Sequence, residues 1–111
     1  MKKLTLVTLL AVLSTPALAN FTGPNAVNIT TVQGALKAAD ETPVVLTGNI
    51  TQALGNETYM FKDATGEIRL EIDSEDWRQQ TVSPKDTVTI YGEVDNEWTH
   101  RKIDVDVIQK K

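Results

Sequence analysis

Residues 59–73, Y-M-F-K-D-A-T-G-E-I-R-L-E-I-D, constrain the chain more than any other stretch. Ile68, Leu70 and Ile72 alternate with Glu67, Arg69, Glu71 and Asp73. A period of two describes a strand with one dry face and one wet face. Asp63-Ala64-Thr65-Gly66 supplies turn chemistry before it, because Gly66 accepts a positive φ without a Cβ penalty. The segment therefore reads as a β-hairpin. A slip of one residue would expose all three aliphatic side chains, so its register is well specified.

The rest of the chain supplies three more strands. Residues 44–51, V-V-L-T-G-N-I-T, point Val44, Leu46 and Ile50 one way, with Gly48 between them. Residues 52–56 read as a loop, and residues 57–62 and 67–73 form the hairpin arms. Residues 87–94 place Val88, Ile90 and Val94 inward, with Gly92 at a bend. Residues 102–108 place Ile103, Val105 and Val107 inward and Asp104 and Asp106 outward. A mid-strand glycine often marks a bulge or a barrel corner. Ahead of the strands, Thr30 or Thr31 caps a short helix whose apolar stripe is Val32, Ala35, Leu36 and Ala39. Pro43 follows its end. A short polar connection at residues 74–80 carries Trp77, expected to plug the barrel. Five strands of this kind are best stabilised by closing on themselves, which removes open edges. The expected fold is mainly β: a five-stranded OB-fold barrel with a short N-terminal helix and a short connection between strands three and four. Another small antiparallel barrel or sandwich is the alternative.

The first 19 residues read as a signal peptide. Lys2 and Lys3 precede an apolar run at residues 4–13, and Ala17-Leu18-Ala19 is a small-residue cleavage pattern. The apolar run is too short to span a bilayer as an ordinary helix. The expected mature domain is residues 20–111, with no membrane span. It keeps all 15 acidic residues and nine basic ones, a net charge of −6. Nucleic-acid affinity comes largely from cationic side chains displacing counterions, so this balance argues against it. With no cysteine, the chain has no disulfide, thiolate metal site or cysteine nucleophile.

F-T-G-P at 21–24, V-V-L-T-G-N-I at 44–50, Y-M-F-K-D-A-T-G-E-I at 59–68 and E-I-D at 71–73 resemble the bacterial OB-fold (BOF) family, the YgiW/YdeI-type stress-tolerance proteins. Trp77, G-E-V-D at 92–95 and I-D-V at 103–105 complete the resemblance. It implies a periplasmic protein of a Gram-negative bacterium, a single domain, no catalytic residues and a binding role in envelope or oxidative stress. The loop N-E-W-T-H-R-K at 96–102 departs from the ordinary polar loop of that family.

OB-folds usually bind across strands two and three, between the loops after strands one and four. The candidate ligand-binding residues on that basis are Lys62, Arg69, Glu71, Trp98, His100 and Arg101. Trp98 can stack on a sugar ring, or it can cover the barrel end as ordinary packing. A second surface is acidic: Glu93, Asp95, Glu97, Asp104 and Asp106. It can draw a cation or cationic peptide, or it can simply discourage edge-to-edge aggregation. Calcium needs six to eight converging oxygens, and no D-x-D-x-D-G loop is present.

His100 is the only histidine, and no serine lies in a G-x-S-x-G context. The expectation is a monomeric, non-enzymatic binding protein without cofactor or metal. Its expected ligand is a cell-wall sugar or glycopeptide; the alternative is an acidic module engaging an envelope protein, cationic peptide or cation.

Overall fold

The computed structural model describes residues 27–96 and 100–111. The expected signal peptide, Phe21, Glu97 and Trp98 lie outside these residues. Helix α1 (Val32–Lys37) precedes β1 (Pro43–Gly55), β2 (Thr58–Asp63), β3 (Gly66–Glu71), β4 (Val88–Asn96) and β5 (Arg101–Lys110). A short 3₁₀ helix, Ser74–Trp77, connects β3 to β4. The strands close into a barrel in the order β1-β2-β3-β5-β4, with β4 returning to β1. All pairs are antiparallel except β3 with β5. This is the expected five-stranded OB-fold.

The alternating residues of the hairpin form the core as their period requires. Ile68, Leu70 and Ile72 are buried against Phe61, Leu46, Ile90 and Ile103. Val44, Ile50, Val88, Val94 and Val105 are buried with them, on the expected sides of their strands. Trp77 is half-buried against this core and meets Tyr59 edge-on, ring centroids 5.3 Å apart.

Three expectations need correction. Residues 52–55 are not loop: β1 runs on to Gly55 and pairs with β2. Thr51 and Leu54 are extra residues at register shifts there, and residues 51–55 are exposed, so the segment carries no inward alternation. On β5, Val107 is not an inward residue; Ile108 is buried instead. Tyr91 faces Val107 and Gly92 faces Val105, so Asp106 is an unpaired bulge that shifts the phase of the strand. The helix ends at Lys37, leaving Ala39 beyond it and Leu36 38% exposed. Its buried face is only Val32 and Ala35.

The two mid-strand glycines permit close approach of backbones. A Cβ at Gly48 would collide with the Lys62 carbonyl and lie 2.9 Å from the Phe61 ring. A Cβ at Gly92, next to the β5 bulge, would collide with the Asp104 carbonyl.

The turn between β2 and β3 does more than reverse the chain. The Asp63 carboxylate accepts N–H bonds from Thr65 and Gly66 and the Thr65 hydroxyl. It also accepts the Val32 N–H at 2.9 Å. The Thr65 hydroxyl oxygen accepts the Gln33 N–H at 2.9 Å, and Thr31 accepts that of Gly34 at 3.0 Å. The first three N–H groups of α1, which have no partner inside a helix, are thus all satisfied. Burial pushes the Asp63 carboxyl up, but these hydrogen bonds outweigh it and hold the group below its ordinary value. At the other end, the Arg101 guanidinium donates to the carbonyls of Ala35 and Ala38.

Candidate ligand-binding face

The outer face of the barrel is set by the strand registers. Met60 pairs with Arg69, Arg69 with Lys102, and Lys102 with Asp95. These four form one rung across β2, β3, β5 and β4. The next rung is Thr58, Glu71, Asp104 and Glu93. The first rung carries two cations and the second carries three carboxylates.

A cleft of about 310 Å³ lies at the end of the first rung. Leu54, Asn56 and Thr58 of the β1–β2 turn form one wall, and Arg69, His100 and Lys102 form the other. Arg69 is partly buried, and no ion pair or side-chain hydrogen bond holds it among the described residues. The Lys102 ammonium is held by Glu71 at 2.5 Å and lies 3.9 Å from Asp95. The turn itself has a type I′ shape, with Asn56 at φ 54° and Glu57 at φ 61°. The Glu57 carboxylate accepts the N–H and hydroxyl of Ser74, each at 3.0 Å, and so ties the turn to the 3₁₀ helix.

A second cleft of about 210 Å³ is lined by Asp40, Glu41, Glu93, Asp95 and Asp104. Asp40 accepts the Asn96 N–H at 2.8 Å, fixing the α1–β1 connection beside the end of β4. Burial pushes the Asp104 carboxyl up, and the nearby charges of Glu71, Asp106, Asp95 and Asp73 add to the effect. No three metal-liganding side chains converge to hold an ion among the described residues.

The expected site residues therefore divide. Arg69 and His100 share the first cleft, and Glu71 borders it through its ion pair with Lys102. Lys62 points outward one rung away and lines a separate, open groove with Thr47, Asn49 and Pro84. Arg101 faces α1 and is occupied by its carbonyls. Of the acidic set, Glu93, Asp95 and Asp104 come together, and Asp106 stands at the bulge.

The family model described as "Bacterial OB fold (BOF) protein" matches residues 13–110. The chain belongs to the bacterial OB-fold family. It is 39% identical to Protein YgiW of Escherichia coli K12, over 94% of this chain and 92% of that one. It is 41% identical to the "Calcium-regulated OB-fold protein CarO" of Pseudomonas aeruginosa, over 98% and 96%. The solved structure of ygiW from E. coli superposes with a TM-score of 0.73 at 45% identity, covering 84% of this chain and 99% of that one. The S. pombe Stn1–Ten1 complex matches with a TM-score of 0.63 at 12% identity, covering 79% of each chain, which is a likeness of fold.

Within this bacterial OB-fold frame, Lys102, Asp40 and Glu41 line the two clefts without having been among the expected residues. Lys102 opens the fifth strand in the sequence, and only the parallel β3–β5 register sets it beside Arg69. Asp40 and Glu41 read as helix-ending residues. The bonds between Glu41 and Val94 and between Val94 and Thr42 carry them to the edge of β4. No described helix is long and apolar enough to cross a membrane.

Proposed function

We propose that this chain is a non-enzymatic periplasmic binding protein that contributes to envelope or oxidative stress tolerance. Its ligand is a cell-wall sugar or glycopeptide bearing a carboxylate, held in the cleft of Arg69, His100 and the β1–β2 turn. The observation that carries this reading is Arg69: a partly buried guanidinium in a concave site, without a protein carboxylate opposite it. A guanidinium fork matches a carboxylate with two parallel hydrogen bonds. The cleft is shallow and mostly polar, which suits a sugar better than an apolar ligand. Export is supported by the leader pattern at residues 1–19.

The test is a chemical-shift titration of the purified, nitrogen-15-labelled protein with soluble peptidoglycan fragments. Saturable shifts at Arg69, Glu71, His100 and residues 54–58 support the reading, and Arg69→Ala should weaken binding at least tenfold. An absence of shifts at millimolar fragment overturns it. N-terminal sequencing of protein from an osmotic-shock fraction should begin at Asn20; a chain retained in the cytoplasm with Met1 overturns the export reading.

The second reading gives the functional role to the acidic cleft, which would engage a cationic peptide, an envelope protein or a cation. The observation favouring it is that five carboxylates line one small concavity. The relative CarO is named as calcium-regulated. Calorimetric titration with calcium separates the two readings, because the Arg69 cleft predicts no heat from the ion alone.

A further inference from the structure

We infer that the β3–β5 face binds the end of a peptide that carries both a carboxylate and an ammonium group, the carboxylate on Arg69 and the ammonium beside Asp104 and Glu93. This rests on the reading that the Arg69 cleft is the binding site, and it names the chemistry of the ligand there.

Charge is unevenly committed along the two rungs. In the first rung, Lys102 is committed to Glu71 and Asp95, so Arg69 is the cation left for a ligand. In the second rung, Glu71 is committed to Lys102. Asp104 and Glu93 face each other as a direct cross-strand pair, and neither has an ion-pair partner among the described residues. Asp104 lies one outward position along and one strand across from Arg69, a diagonal of about 8 Å between Cα atoms, and Glu93 lies one strand farther. The face is thus a dipole with its central charges already neutralised.

A polyanion fits this face poorly. A strand of nucleic acid would place one phosphate on Arg69 and the next over Asp104 and Glu93, where like charges repel. A simple carboxylate uses one end only. An extended peptide ending in a lysine-like residue spans the rungs, because its flexible four-carbon ammonium stem reaches across the diagonal to Asp104 while its carboxylate sits on Arg69. Burial, and after it the charges of Glu71, Asp106 and Asp95, push the Asp104 carboxyl up.

The probe is N-acetyl-alanyl-alanyl-lysine, titrated into the purified protein and followed by amide shifts. Shifts at Arg69, Glu71, Glu93 and Asp104 are expected. The C-terminal amide and the Nε-acetyl form should each bind at least fivefold more weakly. Asp104→Asn, a substitution on the outer face that leaves the core untouched, should remove the preference for the free ammonium and keep that for the free carboxylate. Equal binding of the Nε-acetyl peptide overturns the inference and leaves the carboxylate cleft standing. Binding of peptidoglycan fragments without binding of any peptide does the same. Silence from both ligands overturns the inference together with the cleft reading.

Discussion

Arg101 donates hydrogen bonds from its guanidinium to the carbonyl of Ala38, the residue that caps the C-terminus of α1, and to that of Ala35. The contact ties the first element of the fold to the start of the last strand. It also closes the end of the short helix, where the Ala35 carbonyl already accepts the Ala38 N–H.

Arg101→Ala should therefore cost stability rather than binding. A hydrogen bond from a charged donor to a partly buried carbonyl contributes about 2 kcal/mol. Urea denaturation should show a lower midpoint with an unchanged slope. Ligand affinity at the Arg69 cleft should stay within twofold of the parent protein.

The glycines separate by what surrounds them. Gly92→Ala pushes a methyl group into the Asp104 carbonyl, and Gly48→Ala pushes one into that of Lys62. Backbone cannot swing aside, so each should cost about 3 kcal/mol or more and yield little folded protein. Gly55→Ala meets open space and pays only for a side chain at φ 91°, about 1 kcal/mol. Thermal melts of the three variants should rank in that order.

Asp63→Asn should weaken the protein by about 1–2 kcal/mol at neutral pH, through poorer capping of α1 and of its own turn. The folded carboxyl lies below its ordinary value. Its contribution is therefore full above the unfolded pKa of about 3.9 and lost as pH falls through the folded value. Stability measured against pH should show the parent and variant converging in acid.

Asp104→Asn should do the opposite. Its folded pKa is raised, chiefly by burial and then by Glu71. The favourable, protonated state prevails below the unfolded pKa, and the benefit is lost as pH rises through the folded value. At neutral pH the variant should gain a few tenths of a kcal/mol, because it removes a charge that lies near those of Glu71, Asp106 and Asp95. The gain should vanish in acid and shrink in high salt.

Most of the barrel was legible because alternation marks a half-buried strand directly. Ile68, Leu70 and Ile72 declared both an element and its inner face. The far end of β1 was not legible, because a ribbon exposed on both sides obeys no period. Val107 misled for a related reason: a bulge at Asp106 changes the phase, and nothing local announces it. At the candidate site, Arg69 and His100 were expected from where such barrels bind, and the two line one cleft. Lys102 did not, because a parallel pairing between distant strands leaves no trace in chain spacing. Arg101 looked like a binding residue from its place beside the loop. Its actual partners are carbonyls, which carry no side-chain signature.

The six residues of α1 are far fewer than the twelve to fifteen or so that an isolated helix needs to persist in water. Two of its first donors are held by Asp63 and Thr65, so the helix exists only while the β2–β3 turn is closed. The amides of Val32 and Gln33 should then exchange with solvent at the opening rate of that turn, as one cooperative unit, instead of fraying like a terminal segment. The first element along the chain thus owes its stability to a turn about thirty residues farther on.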